Sequence, residues 1–194
     1  MFRLVASRTL QRSIISQIRL QSTAPTTAYD EIIQSIRQDL KLNIRKRADP
    51  LEKNVIRSIL TEVKNMEIES QNKPKDEFAL YDLVSKMIKQ RKATAEEYFK
   101  EGSPDKFHQI GLNELREVEF LEKYLTKMPV ASQEEVEAKV LGIAEALQKD
   151  GLLNTEADLF KRIPWGAIKV EWKASRASTS AAVKSVFKKL SEEA

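Results

Sequence analysis

The sequence predicts an all-α protein, and three observations support this prediction. From Tyr29 onward, apolar residues recur three or four positions apart, and no segment alternates apolar and polar residues for long enough to indicate a sheet. Charged residues make up 32% of the chain, as expected for helices with one solvated face. The 194 residues include only five glycines and six prolines, so few positions interrupt a helix.

Four helices are predicted before residue 129. Their apolar residues follow helical spacing: Ile32, Ile36, Leu40 and Ile44 in the first; Leu51, Val55, Ile59, Val63 and Met66 in the second; Leu80, Leu83, Val84, Met87 and Ile88 in the third; Leu115, Val118, Leu121 and Leu125 in the fourth. Asp49 followed by Pro50 predicts an N-cap with proline at the first position of the second helix. The polar stretch at residues 70–76 and the Gly-Ser-Pro sequence at 102–104 predict breaks around the third helix.

A hinge is predicted at residues 129–132, followed by two capped helices. Ser132 and Glu135 have capping-box spacing and open a helix that ends at the Asp-Gly pair at residues 150–151. Thr155 and Asp158 have the same spacing and open a short helix that the proline at position 164 ends. The pattern therefore divides the helices into a longer amino-terminal set and a shorter carboxyl-terminal set.

The segment at residues 165–175 allows two interpretations. Apolar residues at 168, 170 and 172 would alternate in a short strand, whereas Trp165 and Trp172, seven positions apart, would share one face of a helix. A last helix follows, which we expect to be capped by Ser178 or Thr179. Its apolar stripe consists of Val183, Val186, Phe187 and Leu190.

The positive charge of the chain lies at its amino terminus. Arg3, Arg8, Arg12 and Arg19 precede the first acidic residue, Asp30. Without these four, the 33 basic residues become 29, which equals the number of acidic residues, so the net charge of +4 belongs to this segment. Net charge alone therefore gives no reason to expect a protein that coats RNA.

The first 23 residues have the composition of a mitochondrial transit peptide. On a helix, the arginines at positions 8, 12 and 19 would lie within about 40° of one another, opposite the apolar residues at 10, 14 and 18. Such a helix suits an anionic membrane surface and an acidic import receptor. The sequence predicts a transit peptide at residues 1–23, a flexible lead-in at 24–28, and delivery to the mitochondrial matrix by the import machinery. A basic tail or a surface helix of the folded protein is the alternative.

The composition excludes several kinds of catalytic or cofactor site. The chain has no cysteine and a single histidine, His108, so thiolate metal sites, iron–sulfur clusters and cysteine nucleophiles are excluded. No glycine-rich phosphate loop is present, and the longest apolar run is far too short to cross a bilayer. Glu114, Glu117, Glu119 and Glu122 fit a solvated face with ion pairs four positions apart better than a metal cluster. The same interpretation applies to Lys92 with Glu96 and to Glu96 with Lys100. We therefore predict no metal, no cofactor, no catalytic residues and no stable membrane insertion.

One segment has a composition that favours nucleic-acid binding. Residues 161–194 hold eight basic and three acidic residues. The candidate contact residues are five cations and two tryptophans: Lys161, Arg162, Trp165, Lys169, Trp172, Lys173 and Arg176. Cations neutralise phosphates and an indole stacks on an unpaired base, so the pattern predicts RNA contact with little sequence preference. Two alternatives are that the tryptophans form the core of a small helical unit, and that the surface binds an acidic protein.

Several strings of this sequence resemble the YqeY family, the free-standing relatives of the tail domain in the B subunit of the glutamine-dependent tRNA amidotransferase. They are Ile-Arg-Ser-Ile-Leu at 56–60, which runs into residues 63–69; Ile-Lys-Gln-Arg-Lys at 88–92 with Glu-Glu-Tyr at 96–98; and Glu-Phe-Leu-Glu-Lys-Tyr-Leu at 119–125. The resemblance covers about residues 30 to 191. It rests on the order and spacing of these strings together.

The resemblance implies a larger helical bundle at residues 29–128 and a smaller helical subdomain with a basic tail at 132–194. It also implies a non-catalytic accessory role: binding tRNA or assisting tRNA amidation, with tRNA as the partner. Docking on a mitochondrial protein complex is one alternative. The other is the carbon–nitrogen ligase activity, with glutamine as amido donor, that the family label carries; we expect no such turnover, because no segment resembles an ATP or glutamine site.

Overall fold

The computed structural model describes residues 28–71, 75–100 and 104–193, and it confirms the all-α prediction. These residues form seven α-helices and one short π-helix, and they contain no strand. The helices are α1 (Ala28–Arg45), α2 (Pro50–Glu69), α3 (Glu77–Tyr98), α4 (Asp105–Leu125), α5 (Gln133–Lys149), α6 (Glu156–Arg162), the π-helix (Ile168–Trp172) and α7 (Arg176–Glu193). The predicted transit peptide at residues 1–23 lies outside the described residues. None of the described helices is long and apolar enough to cross a membrane.

Local sequence signals set the start of α2 as predicted. The Asp49 carboxylate accepts a hydrogen bond from the Leu51 N–H at 2.9 Å, and Pro50 occupies the first helical position. The same chemistry begins α3, where the Asp76 carboxylate accepts from the Ala79 N–H at 2.9 Å. Each carboxylate satisfies a backbone donor that has no partner within its helix.

Both predicted capping boxes are present. The Ser132 hydroxyl accepts from the Glu135 N–H at 3.2 Å, and the Glu135 carboxylate accepts from the Ser132 N–H at 3.0 Å. At α6, the Asp158 carboxylate accepts from both the N–H and the hydroxyl of Thr155, at 3.0 and 2.8 Å. These short-range bonds fix where α5 and α6 begin.

The predicted apolar stripe of α1 is wrong at its carboxyl end. Ile33 and Ile36 are buried, whereas Ile44 is 50% exposed. A step of four residues overshoots one helical turn by about 40°, so the last member of a stripe with this spacing rotates away from the core. The buried residues of α1 are Tyr29, Ile33 and Ile36, which are spaced by four and then three positions.

The cap predicted for α7 is also wrong. The helix begins at Arg176, and the Ser175 hydroxyl accepts from the Ser178 N–H at 2.8 Å, so Ser175 is the capping residue. Ser178 and Thr179 lie inside the helix, where the Thr179 hydroxyl donates to the Ser175 carbonyl at 2.8 Å. Ser175, Ser178 and Thr179 are all residue types that favour the N-cap position. The hydrogen bond from Ser175 to Asp82 of α3 favours Ser175 as the cap.

The segment between α6 and α7 is helical rather than extended. It forms the π-helix, which ends at Lys173 in the left-handed region with φ of 49°. The Ala174 N–H donates to the Ile168 carbonyl at 3.2 Å and closes this turn. A wide turn followed by a left-handed residue reverses the chain so that α7 can pack against α5 and α6.

The buried side chains form two clusters, each contained in one continuous stretch of chain. The first runs from Tyr29 to Met128 and joins α1 to α4. The second runs from Val136 to Val186 and joins α5, α6, the π-helix and α7. The domain boundaries predicted at residues 29–128 and 132–194 stay a prediction.

Candidate nucleic-acid interface and the groove beside α3

Trp165 and Arg176 lie together in the structure. The Trp165 ring stacks on Phe160 with centroids 5.7 Å apart, and its Nε1 donates to the Phe160 carbonyl at 2.8 Å. The Arg176 guanidinium lies 5.3 Å from the centroid of the same ring. An indole held by a ring contact and a hydrogen bond gives the guanidinium a fixed support, and a guanidinium plane can stack on a base or bind a phosphate.

Trp172 lies in a different environment from Trp165. It is only 9% exposed and packs in the second cluster, with the Lys139 ammonium 5.9 Å from its ring centroid. Lys139 Nζ also donates to the Trp172 carbonyl at 3.4 Å. In this conformation the indole is part of a core and is not presented to a ligand.

Lys169 connects the π-helix to α3. Its ammonium contacts the Asp76 carboxylate at 2.5 Å and lies 5.4 Å from the centroid of the Phe78 ring. Burial raises the pKa of Asp76, but the hydrogen bonds from Lys169 and from the Ala79 N–H outweigh it, and the net pKa is lowered. Lys169 is therefore engaged within the fold.

The remaining candidate cations are exposed to solvent. Lys161 lies 3.6 Å from the Asp158 carboxylate, a weak pair within α6. Within the part of the chain that the structure describes, no salt bridge forms at Arg162, Lys173 or Arg176. Lys169 is exposed as well but is paired with Asp76. We define the basic face as the other candidates that are exposed or half-buried: Lys161, Arg162, Trp165, Lys173 and Arg176.

A groove of about 750 Å³ lies between α3 and α7. Three lysines of α3 line it at three-residue spacing, Lys86, Lys89 and Lys92. Its α7 side presents small residues, including Ala181 and Ser185. The lysine spacing is visible in the sequence, but the groove is not, because its opposite wall belongs to a helix about 90 positions away.

Asp82 lines the groove and joins α3 to the residue that caps α7. The Ser175 hydroxyl donates to its carboxylate at 2.5 Å while accepting from the Ser178 N–H. Burial raises the pKa of the Asp82 carboxyl above its usual value, and the Ser175 hydrogen bond offsets this only in part. The charged form of Asp82 is therefore disfavoured by folding.

Asp82→Asn is expected to stabilise the protein at neutral pH. The folded-state pKa of Asp82 lies above the unfolded-state value, so its ionisation opposes folding at neutral pH, and this cost disappears as the pH falls through the folded-state pKa. The Asn oxygen can still accept from Ser175. Urea unfolding should be measured from neutral pH to a pH below the unfolded-state pKa of Asp82. The variant should be more stable than the parent at neutral pH and equally stable at the lowest pH.

Asp76→Asn is the matched control and should have the opposite sign. The folded-state pKa of Asp76 is lowered, so its charge stabilises the fold at neutral pH and this contribution is lost on acidification. Asn remains a good N-cap for α3. A stability difference for Asp82→Asn that does not change with pH would contradict the assignment.

Two glutamates of α4 pair with basic residues of α3. Glu117 lies 2.7 Å from Arg91, and Glu122 lies 2.9 Å from Lys92. Neither ion pair predicted four positions apart forms among the described residues, since Lys92 pairs with Glu122 of α4 and Lys100 pairs with Glu97. Across residues 28–71, 75–100 and 104–193, no group of three or more His, Asp or Glu side chains could hold a metal ion.

The described residues form the all-helical fold that the resemblance to the YqeY family implies. The family model described as Yqey-like protein matches residues 33–187, and the chain belongs to this family. The resemblance identified from the sequence is thereby confirmed.

Fungal mitochondrial proteins are similar to this chain over nearly all of their length. The chain is 53% identical over 176 residues to a protein of Komagataella phaffii, covering 90% of each chain. It is 35% identical over 182 residues to one of Lachancea thermotolerans, covering 94% of this chain and 93% of the relative. Both relatives are called Altered inheritance of mitochondria protein 41, mitochondrial. The chain is a mitochondrial member of the Yqey-like family.

Proposed function

We propose that this protein is a non-catalytic accessory protein of the mitochondrial matrix that binds tRNA through its basic face and assists tRNA amidation. The observation that carries the proposal is the Arg176 guanidinium held against the Trp165 ring, 5.3 Å from its centroid. Exposed cations without a salt bridge in the described residues lie in the same segment, at Arg162 and Lys173.

The chemistry of the basic face suits a folded RNA. Unpaired cations bind phosphates by releasing counterions, and Arg176 adds a planar group that can stack on an exposed base. Trp172 and Lys169 contribute indirectly, because the first is packed in the second cluster and the second is paired with Asp76. The proposed contact surface, the basic face, therefore contains fewer residues than the seven predicted from the sequence.

Arg162→Gln, Lys173→Gln and Arg176→Gln combined are expected to weaken tRNA binding at least about tenfold. The slope of log affinity against log salt should also fall by about three. Fluorescence anisotropy with a labelled tRNA transcript, titrated with the full chain at several salt concentrations, measures both quantities.

A matched control removes the same charge elsewhere. Lys41, Arg45 and Lys46 are exposed near the end of α1, and their combined change to Gln should leave both affinity and salt slope close to the parent values. The arginine-rich amino terminus is present in every variant and contributes equally. Equal losses in the two triple variants would show that binding follows net charge alone, and an unchanged affinity in the first would exclude the basic face.

A second candidate function, docking on a mitochondrial protein complex, is favoured by the groove between α3 and α7. The groove is separate from the basic face, since none of the seven candidate residues lines it. Affinity purification with and without RNase treatment separates the two functions. Partners retained after RNase support docking, whereas partners lost with the RNA support the tRNA role.

A further inference from the structure

The groove between α3 and α7 has the length of a short helical segment. On α3 it extends from Tyr81 to Lys92, and on α7 from Ala177 to Ser185. At a rise of about 1.5 Å per residue these walls are about 16 and 12 Å long. An occupant that contacts both walls along their length would be a helix of two to three turns.

The floor of the groove is apolar and lined in part by small residues. Ile88 and Leu125 contribute from α3 and α4, and Ala177 and Ala181 contribute from α7. Because the two alanines have short side chains, the space between the helices is left open to apolar side chains from outside. A floor of this kind binds the apolar face of an amphipathic helix.

Three lysines and three carboxylates line the groove, the carboxylates being Asp82, Glu122 and Glu137, and two of the lysines form no salt bridge among the described residues. Of the three lysines, Lys92 is paired with Glu122 at 2.9 Å. The carboxylate of Glu137 accepts from Lys189 at 2.8 Å, and that hydrogen bond, outweighing burial, lowers the pKa of Glu137. Lys86 and Lys89 are exposed and take part in no salt bridge among the residues that the structure describes.

We propose that this groove binds an acidic amphipathic helix of two to three turns from a partner protein. The apolar side of the helix covers Ile88 and Leu125, and its carboxylates pair with Lys86 and Lys89. An RNA backbone fits this site poorly, because apolar side chains make no favourable contacts with phosphates and only two of the lysines lack a salt bridge within the described residues. The proposal stands independently of tRNA binding, since it uses none of the residues of the basic face.

The test uses the full chain and synthetic peptides of about 14 residues, long enough for four helical turns. The probe is a fluorescein-labelled peptide with leucine on one helical face and glutamate on the other. One comparison peptide has lysine in place of glutamate, and another has serine in place of leucine. We expect the first peptide to bind with an affinity that falls with salt, and the other two to bind at least about tenfold more weakly.

Variants of the protein test whether the acidic peptide binds in the groove. Lys86→Glu with Lys89→Glu is expected to weaken binding of the acidic peptide by about tenfold or more, because two attractions become repulsions. Both residues are exposed, so the variant should keep the parent melting temperature. Lys41→Glu with Lys46→Glu, one on α1 and one just after it, is the control of equal charge change and should bind as the parent does. Ala181→Phe fills the groove and should also abolish binding.

Four results would overturn the proposal. The first is no binding of the acidic peptide at its highest soluble concentration, and the second is equal binding of the lysine peptide. The third is an unchanged affinity in the Lys86→Glu and Lys89→Glu variant. The fourth is displacement of the bound peptide by oligouridine, which would assign the groove to RNA.

Discussion

Leu121→Ala is expected to lower the free energy of unfolding by about 3 kcal/mol. Leu121 is fully buried in α4 and belongs to the first cluster, and α4 packs against α3 and α2. Truncation removes the transfer free energy of three carbon atoms and leaves a cavity that rigid neighbouring helices fill only in part. Urea or thermal unfolding monitored by circular dichroism gives the value.

Leu112→Ala is the matched control on the same helix. Leu112 is 49% exposed, so its truncation removes little buried surface, and alanine has the higher helix propensity. We expect a change within about 0.5 kcal/mol of zero. Similar losses for the two variants would mean that Leu121 does not lie in a packed core.

Arg91→Leu is expected to cost about 1 to 3 kcal/mol. The Arg91 Nε lies 2.7 Å from the Glu117 carboxylate, and a guanidinium nitrogen donates to the Ser58 hydroxyl at 3.4 Å. Both charged side chains are mostly buried, with 17% and 22% of their surface exposed. Removing the arginine leaves a carboxylate between α3 and α4 without its partner.

The exposed ion pair between Lys92 and Glu122 is the control for the buried pair between Arg91 and Glu117. Lys92 and Glu122 also join α3 to α4, but about half of each side chain is exposed, so Lys92→Leu should cost less than about 1 kcal/mol. A double-mutant cycle of Arg91→Leu with Glu117→Gln isolates the pairwise energy. A coupling energy close to zero would show that Arg91 acts through packing of its aliphatic part alone.

The fold was predictable wherever its determinants lie close together in sequence. Asp49 with Pro50 and Ser132 with Glu135 satisfy backbone donors within one turn, and both were identified correctly. The cap at Ser175 was missed because it depends on Asp82, which lies 93 positions earlier in the chain. Ile44 was placed in the core because a strict spacing of four looks helical over one or two turns and drifts over three.

The candidate site was predictable as a segment but not as a surface. Composition identified the basic and aromatic residues of 161–176, because that signal needs no structure. It could not show that Trp172 packs inward, which depends on how α5, α6 and α7 enclose the π-helix. Nor could it show that Lys169 reaches Asp76, which depends on how the π-helix lies against the start of α3. The experiments above test tRNA binding and the contacts at Arg162, Lys173 and Arg176, while matrix location and the other contact residues stay predictions.

The contiguity of the two buried clusters in the chain has a consequence for biosynthesis. All members of the first cluster lie between Tyr29 and Met128, and all members of the second follow them. A polypeptide that leaves a ribosome or enters an organelle amino terminus first can therefore close α1 to α4 before α7 emerges. In that order of folding, the Asp82 carboxylate is in place before Ser175 is synthesised or imported. The bundle then supplies the hydrogen-bond acceptor that positions the capping residue of α7.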